Sequence, residues 1–448
     1  LKQHLVRIAI GLAITLFFIG YAARFYPVGF ITQLDNIIYD ARLNLTMPRG
    51  PWGNDAGIDP RIVILDIDEK SLGEIGRWPW PRSIMAELMN KLFDQHGIAI
   101  LGFDVVWAER DTSSGIDTLD ALAQKDLKQA PGFLEVYKGL RPRLDNDLLF
   151  AQAIKGRPVV LGYYFNSEDH AVKANAIPDP VLPKGTFAGR NVPFDEWKGY
   201  TGNLPIYLQS AAGAGHFNPR VDFDGVSRRV PMILEFEGAY YEALSLAIVR
   251  VILGNPQVQP GYAPGSVMSR GYSGLEWLRV GPLTVPVDES VSALIPYRGN
   301  KRSFPYVSLS DILRDRVAVG DLKGKIGLVG TSAPGLFDLR STPVDSVYPG
   351  VEIHANLIAG MLDQTLKEKP AFMLGAEVIL LTLGGVALAI LIPMLSALWA
   401  TLATFAGLAL VVAFNFAVWN KGGMVLPLAA SVLMTGALYV MNMAYGYF

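Results

Sequence analysis

The stretch from Arg61 to Asp111 limits the possible folds more than any other part of the chain. It reads RIVILDIDEKSLGEIGRWPWPRSIMAELMNKLFDQHGIAILGFDVVWAERD. Arg61 to Asp66 is too short for a helix core and too continuously apolar for a half-exposed strand, which predicts a strand buried on both faces. Pro79 and Pro81 can open a helix but not continue one, and Met85, Leu88, Met89, Leu92 and Phe93 then recur at three-and-four spacing. Gly97 stops that pattern, and Ile98 to Phe103 reads as a second buried strand. A helix crossing between two such strands makes them a parallel, right-handed pair. The expected fold is therefore α/β with a largely parallel central sheet.

Hydrophobic residues make up 51% of the 448, more than one soluble core requires, and the excess lies in four runs. Ile8 to Ala23 approaches the roughly 20 residues that cross a bilayer. Arg24, Phe25 and Tyr26 follow where a cleaved signal peptide would need small residues, so it reads as a retained span. Ala371 to Ile392, Leu395 to Trp419 and Val425 to Tyr445 are three more, separated by Pro393 and a turn at Asn420 to Gly423. The organisation expected is residues 1–27 as cytoplasmic end and first span, 28–369 as one soluble domain, and 370–448 as a three-helix membrane bundle. With four spans both ends share a side; Lys2 and Arg7 put the N-terminus in the cytoplasm, against the weaker pull of Arg24, Lys367 and Lys369. The soluble domain is then extracytoplasmic. Residues 445–448 emerge into the cytoplasm as a sensing half without its output half, and the opening Leu1 marks the chain as a fragment.

A net charge of −2 from 39 basic and 41 acidic residues carries no polyanion signature, so nucleic acid is not an expected partner. The absence of cysteine excludes disulfides, thiolate metal sites and thiol catalysis. Five histidines lack metal-ligand spacing, and no nucleophile elbow or catalytic triad occurs, so neither a metal site nor a catalytic residue is expected.

Elsewhere in the domain, Leu34, Ile37, Ile38, Ala41 and Leu45 line one face of a helix that either couples the first span to the domain or covers a sheet edge. Arg110 to Leu140 reads as polar and irregular, Asp145 to Ile154 and Tyr241 to Leu253 as helices, and Arg157 to Phe165 as a third strand. Residues 166–214 form an extended excursion, and Asp224-Gly225 signals a hairpin. Lys325 to Val329 is a further buried strand, and Pro349 to Leu362 a helix whose apolar pattern His354 and Asn356 interrupt.

Ligands of open parallel sheets bind beyond the carboxyl ends of the strands. Asp66 and Asp68 follow the first strand, Asp104, Glu109 and Asp111 the second, and Gly330, Thr331 and Ser332 the strand at Lys325. Brought to one edge, these carboxylates would form an acidic rim suited to a cation or an amine; each could equally cap a helix or a turn. Trp78, Trp80 and Arg82 would form an aromatic wall, a dimer contact or a packed turn. Thr331 and Ser332 offer backbone N–H groups to an anion, with Asp338, Arg340 and Thr342 fixing the turn that follows. Asp222 and Asp224 resemble the start of a calcium loop that lacks its closing acid. Within the second span Glu377 either snorkels or makes a contact inside the bundle or across a dimer, and Gly384-Gly385 offers a small-residue surface for close helix approach.

Six blocks in order, DIDEKSL, GRWPWPR, GFDVVWAERD, DFDGVSRRVP, GLVGTSAPGLFDLRSTP and PGVEIHANL, resemble the type-two CHASE domain, an extracellular sensor of bacterial signalling proteins. The resemblance covers nearly the whole chain, spans included. It implies a multi-pass protein of the bacterial inner membrane, sensing an unidentified extracytoplasmic ligand or partner and working as a homodimer. The implied output is a cytoplasmic class III adenylate or guanylate cyclase, with histidine or serine/threonine kinases as other outputs. The closing AYGYF resembles the cyclase-linked members. No cofactor is implied for this segment; magnesium or manganese would serve the cyclase domain. A scaffold without an output is the reading from a different class, while a transporter is disfavoured because the spans, Glu377 apart, carry no ionisable residues.

Overall fold

The computed structural model describes residues 2–47, 58–263, 274–336 and 338–447. Phe337 of the FDLRSTP turn and the final Phe448 lie outside them.

Six parallel strands form the core of the sheet, in the order Tyr306–Ser308, Ile62–Ile67, Ile326–Thr331, Ile100–Phe103, Val159–Asn166 and Gly213–His216. Gly199–Thr201, from the excursion after the third strand, adds antiparallel to the far end of Val159–Asn166 and pairs in turn with Lys173–Ala174. The first two strands are parallel, as the sequence predicts, but they are not neighbours. Ile326–Thr331 inserts between them, pairing with Ile62–Ile67 on one side and Ile100–Phe103 on the other. Local pattern cannot reveal this, because a strand buried on both faces presents the same apolar run wherever it sits in the sheet.

Alternation along the strands sorts the core into two layers. Ile62, Ile64, Ile100, Val160 and Leu328 pack against the helices Leu244–Ile252 and Gly350–Asp363, whereas Val63, Leu65, Leu101, Phe103, Leu161 and Val329 pack against Arg82–Asn90 and Asn146–Ile154. Near the carboxyl edge, Gly330 lets the Gly350–Asp363 helix approach the sheet; a Cβ there would lie 2.7 Å from a methyl of Val351.

Two expectations need correction. Residues 110–140 are not irregular but include the helix Ile116–Gln124 and most of Phe133–Leu144. The pattern is faint because Ile116 and Tyr137 alone are buried in these two helices, which Asp120 joins by accepting from Tyr137 and Arg141. The helix Gly29–Thr46 buries Ile31, Tyr39, Arg42 and Leu43 and leaves Ile37 and Leu45 exposed. Its buried face was masked in the sequence by a charged residue that finds polar partners inside.

Gln3–Ala22, Phe372–Met394 and Ala397–Gly422 are long and apolar enough to cross a membrane, and Ala429–Tyr447 contains a shorter apolar stretch. The first span packs against Phe372–Leu391 and Ala429–Tyr447. Gly385 lies at that contact, where a Cβ would stand 2.8 Å from the Thr15 hydroxyl and the Met434 sulfur; Gly384 has open space around it. Glu377 is buried within the bundle, and its Oε1 has no hydrogen-bond partner among the described residues.

Candidate functional site at the carboxyl edge of the sheet

The parallel arrangement brings the carboxyl ends of the strands to one edge, but the side chains there divide into two groups. Asp66 accepts from the Ser332 backbone N–H (2.9 Å) and hydroxyl (2.5 Å), pinning the turn after Ile326–Thr331. That consumes the N–H group Ser332 would have offered to an anion. Asp68 caps the helix Glu69–Ile75 through Ser71 N–H (2.8 Å) and accepts from the Ser308 hydroxyl (2.9 Å). Both therefore take the structural role open to strand-end aspartates.

The aromatic turn is likewise a packed corner for most of its length. Trp80 is fully buried and donates to Gly76 O, and the Arg82 guanidinium lies 4.5 Å over the Trp107 ring. The backbone N–H of Arg82 donates to Asp111, and its guanidinium reaches the carbonyl of Glu109. Glu109 itself is exposed. Asp222 and Asp224 both bind Arg228, as a hairpin clamp rather than a calcium loop.

Asp104, Thr331, Asp338 and Trp78 do converge. They line a cavity of about 340 Å³ whose wall also includes Phe217, Arg229, Arg340 and His354. Asp104 follows Ile100–Phe103 on the face that meets the helix Gly350–Asp363, which carries His354 over the cavity. Asp104 Oδ1 and His354 Nε2 are 3.9 Å apart, beyond hydrogen-bonding distance. Burial pushes the Asp104 carboxyl well above the usual range, and the nearby Asp338 carboxylate adds to the effect. Burial likewise pushes Asp338 up to about 6, opposed by the Arg340 guanidinium. His354 is held down to about 4, first by burial and then by Arg340. Of the acidic rim of the sequence reading, Asp104 alone lines the cavity, where Asp338 from the turn joins it and both face a neutral imidazole. His354, Arg229 and Phe217 were missed as site residues; the only sequence signal for His354 was a polar residue in an otherwise apolar helix.

One wall of the cavity is tied to the membrane bundle. Arg228, between the wall residues Ser227 and Arg229, donates to both carboxylate oxygens of Asp40 on the Gly29–Thr46 helix, at 2.8 and 2.7 Å. About one and a half turns earlier on that helix Asp35 accepts the Leu428 and Ala429 backbone N–H groups (2.9 and 2.8 Å), capping the last helix. Arg42 donates to Asn415 and to Leu426 O, and Trp419 donates to Thr46 at 2.8 Å. From the other wall, the chain beyond Gly350–Asp363 reaches the same place, with Lys367 donating to Trp419 O (2.7 Å).

Neither a curated protein nor a solved structure matches the chain. A family model, that of the CHASE2 domain, matches residues 10–392, from within the first span to the end of the second. This match, the mixed α/β domain with its largely parallel sheet, and the apolar helices at both ends agree: the chain belongs to the CHASE2 domain family, extracellular sensor domains of signalling proteins.

Proposed function

We propose that this chain is the sensing half of a multi-pass protein of the bacterial inner membrane, and that occupancy of the sheet-edge cavity regulates a cytoplasmic class III adenylate cyclase. The domain at 28–369 faces outside, the last helix leads to the cytoplasm, and a homodimer is the working unit. Magnesium or manganese belongs to the cyclase domain. The observation that supports this reading is the run of polar contacts from the cavity wall through Arg228 and Asp40 to Asp35 and the start of the last helix. A ligand acts through it by favouring one arrangement of that helix over another, since equal affinity for both shifts nothing.

The test is conversion of ATP to cyclic AMP, with manganese or magnesium, in membranes containing the protein expressed from its native gene with whatever follows Phe448. Cyclic AMP formation that disappears on truncation after Phe448, and whose regulation is lost in Asp40→Asn, supports the proposal. Phosphate transfer to protein in place of cyclic nucleotide formation would move the output to a kinase, and neither activity would leave a scaffold.

A further inference from the structure

We infer that the sheet-edge cavity binds a small organic amine in its ammonium form, with Asp104 as the anion that receives it. The inference rests on reading this domain as a ligand sensor.

Asp104 differs from the other strand-end aspartates, Asp66 and Asp68. Its side chain is 8% exposed, yet among the described residues no donor hydrogen-bonds to it. Asp66 and Asp68, one strand over, have serine hydroxyls and backbone N–H groups as partners. A carboxylate only accepts, so one buried without a donor is an unmet demand for a donor and for positive charge. A second buried group on the wall is also incompletely satisfied. His354, also on the cavity wall and with its side chain 6% exposed, has no partner for Nδ1 among the described residues.

The chemistry of the wall narrows the ligand. An anion would further oppose ionisation of Asp104 and Asp338, which burial already holds back, whereas a cation favours their charged form. The wall's cations are already engaged: Arg229 donates to Asp288 at 2.8 Å, and Arg340 reaches Asp338 at 3.4 Å. A bare metal ion lacks a cage, because among the described residues no three His, Asp or Glu side chains converge as ligands. A neutral alcohol supplies one donor and no charge. An ammonium group supplies both, a positive charge and N–H donors for the Asp104 carboxylate. About 340 Å³ leaves room for an organic body beside the rings of Trp78 and Phe217.

The experiment is calorimetric titration of the full chain in lipid nanodiscs with ethanolamine, putrescine and 2-phenylethylamine, each against its matched alcohol (ethylene glycol, 1,4-butanediol and 2-phenylethanol). At least one amine binds saturably and about tenfold or more tighter than its alcohol, as expected for a charge-assisted hydrogen bond in a buried site. Asp104→Asn weakens that amine about tenfold or more. If Asp104→Asn does not fold, the amine-to-alcohol ratio of the unaltered protein decides alone. Alcohols binding as tightly as amines, no amine binding at millimolar concentration, or unchanged amine affinity in a folded Asp104→Asn would each overturn the inference. Amine binding that leaves cyclic AMP production unchanged would sink the sensor reading and leave this one standing; regulation by other compounds without amine binding would do the reverse.

Discussion

Replacing Arg228 with alanine removes a side chain that joins the cavity wall to the helix Gly29–Thr46 through Asp40. The guanidinium is 3% exposed and makes five charge-assisted hydrogen bonds of 2.7–2.9 Å to Asp40, Asp222 and Asp224. Its partners are themselves largely shielded, with 23%, 12% and 20% of their side chains exposed. The variant leaves three neighbouring carboxylates without their shared counter-charge, and losing one partner of a buried ion pair costs about 3–5 kcal/mol. For a domain of this size each kcal/mol corresponds to about 2 °C, so thermal unfolding of the chain in nanodiscs should begin roughly 6–10 °C lower. Lysine at this position keeps the charge but not the planar fork and should recover only part of the loss. Adding Asp222→Asn and Asp224→Asn to the alanine variant removes most of the repulsion and should restore much of the stability. An alanine variant within about 1 kcal/mol of the unaltered protein would refute the reasoning, because it would mean that water already satisfies these carboxylates.

Three further outcomes follow from the geometry. Glu352, fully buried, accepts from the Arg302 and Ser303 backbone N–H groups and the Tyr306 hydroxyl, so Glu352→Ala should cost about 3 kcal/mol in denaturation measurements, with glutamine recovering part. Gly385→Leu should disrupt the bundle, seen as a lower unfolding temperature or loss of monodisperse protein in detergent, while Gly384→Leu is tolerated. Asp338 and His354 give opposite pH dependences. The raised Asp338 carboxyl contributes stability that is present at acid pH and lost as pH rises through about 6, so Asp338→Asn should gain about 2 kcal/mol relative to the unaltered protein between pH 4.5 and 7.5. The lowered His354 contributes stability that is present above its ordinary value of 6.5 and lost as pH falls toward about 4, which thermal unfolding of a His354→Gln variant across the same range would reveal as a flatter acid limb.

Much of this protein was legible from residues alone, wherever the deciding physics is local. A buried strand, a proline-opened helix and an apolar run long enough for a bilayer each announce themselves within a short window, so the α/β class, the parallel strands and the apolar helices could be read in advance. The rule that ligands sit at the carboxyl ends of parallel strands likewise pointed to the edge where the cavity lies. What could not be read was how side chains share that edge. Asp66, Asp68 and Asp104 look alike as aspartates at strand ends, yet two find donors from turns and neighbouring strands and one finds none among the described residues. The difference arises from the placement of Ile326–Thr331 between the first two strands and from the helix that lays His354 over Asp104, both contacts between residues more than 200 positions apart. Hydrogen-bond satisfaction of a buried group is a property of its tertiary surroundings, and only the folded chain determines which carboxylate is left unpaired.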